Sequence, residues 1–324
     1  MSNQRPVVGI DLGGTKIVAA LVSPSGRIMD RERAPTLAAE GPQSVVQRIF
    51  GVVDGLLKRA AMRPEDTGGI CVAAAGPIDM REGRVKNAPN LPGWESVPLR
   101  DMVRDRFAIP SFLINDAKAA VLGESRFGAG QGVKNLLCIT LGTGIGGGIM
   151  IDGKLYLGQS GAAGEVGHMT IDVNGPKCAC GNTGCWETLA SGTAMEREAL
   201  RRLSRGEGSS LSRLTETGTK AISANEIAEA AREGDGLALG VIRWTADYVG
   251  VGLVNLVDIF NPEMIVMGGG LSKIGDMLLQ PAIDIVRQRA FPLLSQAVRI
   301  VPSTIGDDAG VLGAAAFAFQ NGRV

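Results

Sequence analysis

The sequence predicts an α/β protein of two related domains, on three observations: its length, a repeated Gly-rich hairpin, and an alternation of strand-like and helix-like segments. At 324 residues the chain is long for one hydrophobic core and suits two. The repeat lies in VVGIDLGGTKIVAALV near the start and LLCITLGTGIGGGIMI in the middle, each reading strand, Gly-rich turn, strand. Laid over one another, Ile10 falls on Ile139, Asp11 on Thr140, Leu12 on Leu141 and Gly13 on Gly142. Beyond the turn, Leu21-Val22 fall on Met150-Ile151. The second copy then turns back more tightly, over Asp152-Gly153-Lys154, than the first does over Ser23-Pro24-Ser25-Gly26. Two copies of one hairpin predict two related domains facing each other.

The remaining elements follow in order. Apolar residues recur at helical spacing over 45–61, and a strand follows at 69–75. A short apolar strand at 111–114 runs into Asn115-Asp116, an N-cap position opening a helix over 117–126. The polar stretch 200–220 reads as a helix end and surface loop without chemistry. Ser223-Ala-Asn-Glu226 is a capping box whose helix stops near Gly234. Residues 237–258 form a long, mostly apolar helix ended by Asn261-Pro262. A strand at 264–267 enters Gly268-Gly269-Gly270, and Asp307-Asp308 caps a terminal helix. The expected division is a small domain of 1–114 plus 310–324 and a large domain of 115–309.

Lys+Arg and Asp+Glu number 33 each, so the formal charge is zero. That balance, without any Lys/Arg block, argues against a nucleic-acid partner and against a polybasic membrane contact. The start, MSNQRPVVGIDLGG, lacks the pattern of a secretory signal. No apolar run is read as approaching the roughly 18 residues of a membrane helix. A soluble, cytoplasmic protein is expected. Of five cysteines, Cys71 and Cys138 sit in apolar strands and read as reduced core residues, while Cys178, Cys180 and Cys185 cluster in a Gly-rich polar segment.

Both hairpins suit phosphate. Glycines let the backbone approach a phosphate closely and present N–H donors. In DLGGTK, Gly13 and Gly14 supply that backbone, Thr15 a hydroxyl and Lys16 a charge, and Asp11 is placed to hold Mg²⁺ beside the phosphates. In LGTGIGGG, Thr143 and Gly144 repeat the pattern, and Gly268, Gly269 and Gly270 are placed to border the nucleoside. No GxxxxGK[ST] occurs, and Gly142, Gly144 and Gly147 lead into a strand rather than a phosphate-binding helix, which excludes a dinucleotide fingerprint.

His168, the only histidine, stands just before Cys178, Cys180 and Cys185. One imidazole and three thiolates complete a closed tetrahedral Zn²⁺ shell, so the metal is expected to be structural. A shell with no open position also argues against a zinc-dependent hydrolase. Two acids flank the cluster, Glu165 and Glu187, which suit vicinal sugar hydroxyls. Asn115-Asp116 at the strand-to-helix junction reads as a plain N-cap or as part of a ligand cleft; if Asp116 is the base, it takes the proton from the attacking hydroxyl.

Together DLGGTK, LGTGIGGG, GEVGH, CACGNTGCWE, GPID, NAPNLPGW, NDAKAA and GDDAGVLGAA resemble the ROK family of sugar kinases and sugar-responsive repressors over nearly the whole chain. The resemblance implies an actin-like, ribonuclease-H-like two-domain α/β fold with ATP and sugar meeting in the interdomain cleft. It implies Asp116 as catalytic base, Asp11 near Mg²⁺, and Gly13, Thr15 and Thr143 at the phosphates. Gly76, Asn90, Asn115, Glu165, His168 and Glu187 would surround the sugar, with one His168 nitrogen on zinc and the other toward a hydroxyl. It also suggests a homodimer. The family's repressors carry an N-terminal helix-turn-helix, for which the early Asp11 motif is read as leaving no room. The expected activity is phosphoryl transfer from ATP to a hexose, with glucose first. Alternatives are another sugar (N-acetylmannosamine, mannose or fructose), polyphosphate as donor, or a sugar-sensing regulator.

Overall fold

The N-terminal hairpin seeds a five-stranded sheet. In the computed structural model, which describes residues 5–88, 90–216 and 222–322, β1 (Val7–Leu12), β2 (Lys16–Val22) and β3 (Ile28–Pro35) form an antiparallel meander. Helix α1 (Gly41–Arg59), with Pro42 in its first turn, starts four residues before the periodic segment and covers this sheet with Val45, Ile49, Val53 and Leu56. β4 (Ile70–Ala74) returns parallel to β1. A small hairpin of β5 (Ile78–Asp79) and β6 (Arg84–Val85) and helix α2 (Leu99–Phe107) lead to β7 (Ser111–Asn115), parallel to β4. The order is β3-β2-β1-β4-β7.

Helix α3 (Asp116–Phe127) follows at once, and a second sheet repeats the plan. Its strands are β8 (Leu136–Leu141), β9 (Ile145–Ile151), β10 (Lys154–Leu155), β11 (Met264–Gly268) and β12 (Arg299–Pro302), ordered β10-β9-β8-β11-β12. β1 and β8 have six residues each, β2 and β9 seven, and both sheets add two further strands on the same side. The repeat read from the sequence is therefore a repeat of whole sheets. The tight second turn has Asp152 and Gly153 at φ 51° and 74°, the two positive values such a hairpin requires.

Between β10 and β12 run α4 (Glu187–Ala190), α5 (Gly192–Ser204), α6 (Ser212–Glu216), α7 (Ala224–Arg232), α8 (Gly236–Phe260), α9 (Asp276–Arg289) and α10 (Pro292–Ala297); α11 (Ala309–Asn321) comes last. The capping box at Ser223 and Glu226 forms as expected, and Asn261 ends α8 in the left-handed conformation. The loop read over 200–220 contains the end of α5 and all of α6, and its residues 217–220 lie outside the described set, as does Pro89 of the NAPN motif.

Three expectations are corrected. Asp308 does not cap α11 through its side chain; it pairs with Arg31 of β3 at 2.5 Å instead. Helix α8, at 25 residues, is long and apolar enough by length and composition to cross a bilayer, contrary to the expected lack of such a run. Its apolar face packs instead against α9, α5, α7 and α4, burying Val241, Ile242, Val249, Leu253 and Leu256. The chain also divides otherwise than at 114 and 310. One unit comprises Met1–Cys138, Gly148–Gly164 and Ser303–Val324, the other Ile139–Gly147 and Glu165–Pro302. Segments 115–138, 148–164 and 303–309 thus group with the first unit, although parts of β8 and β9 and all of β10 within them are strands of the second sheet. The reason is close helix packing: a Cβ on Gly313 of α11 would come within 1.9 Å of the Ala119 carbonyl of α3, so only glycine allows the approach.

Candidate active site

In the first unit the expected residues collect at the carboxyl ends of the parallel strands, where α/β sheets commonly bind ligands. Asp11 lies near the end of β1, Gly76 just beyond β4, and Asn115 closes β7. The β1–β2 turn holds itself: Gly13 N–H donates to the Lys16 carbonyl at 3.0 Å. Thr36, fully buried, braces it, donating its hydroxyl to the Gly13 carbonyl at 2.7 Å and its N–H to the Thr15 carbonyl at 2.9 Å. A Cβ on Gly14 would sit 2.9 Å from Asn90 Cβ, so the turn and the expected sugar ligand Asn90 are direct neighbours.

Asn115 is both cap and connector. Its Oδ1 accepts from the N–H groups of Ala117 and Lys118, and its Nδ2 donates to the Gly76 carbonyl at 3.3 Å and to Asp116 Oδ1 at 3.0 Å. Asp116 Oδ1 also accepts from Ala117 N–H at 2.9 Å. Two donors on one oxygen fix the plane of that carboxylate, and the amino end of α3 favours its negative charge.

Burial pushes the Asp11 carboxyl up to about 6; the Asp116 charge adds to the rise and Lys16 opposes it. Sequence reasoning missed a further partner. Gly310, in the first turn of α11, abuts Asp11 so closely that a Cβ there would lie 2.6 Å from Asp11 Cγ. The GDDAGVLGAA motif contains this glycine, and its packing role is visible only in three dimensions. Two acids near each other and in part desolvated are the donor set a hard divalent cation requires, so Asp11 fits the expected Mg²⁺ role.

In the second unit the β8–β9 turn is held from outside. Gly142 N–H closes the turn onto the Gly144 carbonyl at 2.9 Å. The start of α5 then bears on it: Gly192 N–H donates to the Gly142 carbonyl at 2.7 Å and Thr193 Oγ1 to the Thr143 carbonyl at 3.0 Å. Gly269, at φ 83°, packs on Leu141 where a Cβ would meet the carbonyl at 2.3 Å. Gly269 in the run Gly268 to Gly270 thus lies beside the end of β8, which Thr143 and Gly144 follow in the chain.

The cysteine and histidine residues converge. Their donor atoms all lie within 4.8 Å of one another, with Cys178 Sγ to His168 Nδ1 at 3.6 Å and Cys180 Sγ to Cys185 Sγ at 3.7 Å. A tetrahedral zinc with ordinary bond lengths separates sulfur from sulfur by about 3.8 Å and sulfur from imidazole nitrogen by about 3.6 Å. The donor set therefore fits zinc in number, chemistry and spacing. Backbone N–H donation from Asn182 lowers the Cys180 thiol, whereas burial pushes Cys185 up to about 12, so a cation is needed to hold the latter as thiolate. Gly184, at φ 68°, turns the knuckle where any Cβ would strike the Asp172 carbonyl.

The knuckle is anchored through Trp186, fully buried against α8. A Cβ on Gly252 would lie 2.0 Å from its ring, and its Nε1–H donates to the Tyr248 carbonyl at 2.8 Å. Truncating a tryptophan so placed costs about 3–5 kcal/mol. Glu187 follows, and the structure brings it to the β8–β9 turn: its Oε2 accepts from Ile145 N–H at 2.9 Å. Glu165 is exposed and starts the 3-10 turn Val166–His168. Gly167 within that turn lies on the Ile145 carbonyl, leaving no room for a Cβ. His168 directs Nδ1 to the sulfurs. Cys71 and Cys138 are buried core thiols, both pushed upward by burial.

A family model described as the ROK family matches residues 7–321. A glucokinase of Halalkalibacterium halodurans is 39% identical over 312 residues, spanning 96% of this chain and 94% of its own. A glucokinase of Thermotoga maritima is 37% identical over 313 residues, 95% and 96% of the two chains. Among solved structures, a ROK family glucokinase from Streptomyces griseus in complex with glucose and AMPPNP superposes with a TM-score of 0.84 at 36% identity, covering 98% of this chain and all of that one.

Proposed function

The chain belongs to the ROK family, and from that premise we propose that it is an ATP-dependent glucokinase in which Asp116 is the base. Its fold is the actin-like two-domain α/β fold of ROK glucokinases. The reading rests above all on likeness at 36–39% identity over nearly full length to proteins named glucokinase, one of them holding glucose and an ATP analogue.

Roles follow from the chemistry of each side chain. Asp116, its plane fixed by Asn115 and the Ala117 N–H, takes the proton from the attacking hydroxyl as the phosphorus–oxygen bond forms. Asn115, Gly76 and Asn90 in the first unit, and Glu165, His168 and Glu187 in the second, bind the sugar. Gly13, Gly14, Thr15 and Lys16, and in the second unit Thr143 and Gly144, hold the phosphates, with Gly268 to Gly270 beside the nucleoside. Asp11 would hold Mg²⁺, which would supply positive charge beside the phosphates. The cysteine and histidine cluster carries structural zinc, and the partner-level reading is a cytoplasmic homodimer without nucleic-acid or membrane contacts.

The test is a panel of glucose, mannose, fructose and N-acetylmannosamine with ATP and polyphosphate as separate donors. Glucose with ATP is expected to give glucose 6-phosphate and ADP at the highest kcat/KM. Asp116→Asn should lower kcat by about 10²–10⁴-fold while binding glucose as before. Sugar binding without transfer from either donor would establish a sensing role instead.

A further inference from the structure

Resting on the reading that the β8–β9 turn binds phosphate, we infer that Glu187 is a positioning residue for that turn as well as a sugar ligand, so that the zinc knuckle shapes the nucleotide site. The contact is direct. Glu187 Oε2 accepts the Ile145 N–H at 2.9 Å, at the point where the turn re-enters β9. Gly144 completes the fit, because a Cβ there would lie 2.1 Å from the same oxygen and 3.0 Å from the Glu187 carboxyl carbon. The glycine at this position thus admits a carboxylate from behind.

The knuckle reaches Ile145 a second time, at its carbonyl. Gly167, one residue before the ligand His168, lies on the Ile145 carbonyl where a Cβ would come within 2.2 Å. The two peptide groups that flank the Ile145 Cα are therefore both contacted: the N–H of one bonds to the residue two after Cys185, and the carbonyl of the other is closely packed by the residue one before His168. Both contacts issue from the segment that encloses the metal, and Trp186 between Cys185 and Glu187 is locked onto α8. A charge-assisted hydrogen bond to a turn amide keeps the neighbouring Thr143 and Gly144 donors in one arrangement, and such preorganisation shows as affinity. Glu187 Oε1 has no protein hydrogen bond among the described residues, which leaves that oxygen for a sugar hydroxyl. One carboxylate then serves both substrates: acceptor to the sugar, and brace to the turn.

The discriminating measurement is nucleotide affinity without sugar, by calorimetry with a non-hydrolysable ATP analogue and Mg²⁺ on the zinc-loaded enzyme. Zinc content and thermal midpoint are recorded for each variant. Glu187→Ala should weaken nucleotide binding about tenfold or more, the scale of a lost hydrogen bond to a charged group. Glu187→Gln retains an oxygen for Ile145 N–H and should stay within about threefold of the parent for nucleotide, even where its sugar affinity falls. Gly144→Ala should weaken nucleotide binding too, and adding Glu187→Ala should make it no worse, because the obstructed carboxylate is gone. Thr143→Ala is the control on the underlying reading. If Thr143→Ala weakens nucleotide binding while folded, zinc-loaded Glu187→Ala binds as the parent does, the inference is overturned and the phosphate role of the turn stands. If Thr143→Ala has no effect either, the phosphate role itself fails and the inference falls with it.

Discussion

At the β1–β2 turn the chain supports itself: Gly13 bonds to Lys16 three residues on, and Thr36, at the end of the same meander, braces Gly13 and Thr15. At the β8–β9 turn, support comes from residues distant in sequence, namely Glu187, Gly167 and the first turn of α5. The two turns share a sequence pattern and lie in sheets of the same order, yet one is a local structure and the other is braced by the segment that carries the cysteine and histidine cluster. Duplicated hairpins need not be held by duplicated means. Whatever surrounds each copy supplies the restraint its own glycines cannot, since glycine adds no side-chain contact and raises the entropy lost on ordering.

Removing the metal should break this comparison most visibly. Cys185→Ser is expected to lose the bound zinc, measured as metal per chain, and to lower turnover by about 100-fold or more. Hydrogen exchange should then speed up at the Gly142 and Ile145 amides and stay unchanged at Gly13. Equal loss of protection at both turns would show that their supports are not separate.

A change in the first unit should spare the zinc. Gly310→Ala places a methyl against Asp11, and overpacking of this kind costs about 1–3 kcal/mol. Turnover should fall about tenfold or more as Asp11 is displaced, with a raised Mg²⁺ requirement and full zinc content. An unchanged Mg²⁺ titration would remove Asp11 from the proposed role.

The smallest effect concerns stability. Because the folded Asp11 titrates near 6 and the unfolded one near 3.8, the folded state binds more protons between those values. Its contribution is therefore favourable at low pH and is lost as pH rises through about 6. Asp11→Asn should raise the melting temperature without added Mg²⁺ by a few degrees at pH 7–8, the gain shrinking toward pH 4, while turnover is lost. A gain independent of pH would mean that charge is not its source.

Much of this was legible in one sequence because it is local. Hairpin repeat, capping box, Asn115 cap and the close spacing of Cys178, Cys180 and Cys185 all depend on neighbours within a few residues, and each appears as read. What stayed hidden is non-local. The Ile145–Glu187 bond joins residues 42 apart, and nothing in either segment announces the other. Gly310 reads as one more helix glycine until Asp11 is seen beside it. Asp308 has the residue type of a cap, and Arg31 of a distant strand claims it. Helix α8 misled in the opposite sense: its apolarity reports burial on several sides by other helices rather than a lipid surrounding.

The close seating of α11 on β1, where a Cβ on Gly9 would lie 2.1 Å from the Val311 carbonyl, bears on the order of assembly during synthesis. Strands emerging first from the ribosome must wait for a helix translated after every element of the other unit. Until α11 arrives, one face of the earliest sheet has no cover, so slow decoding ahead of residue 309 would prolong an aggregation-prone interval that a chaperone could shelter.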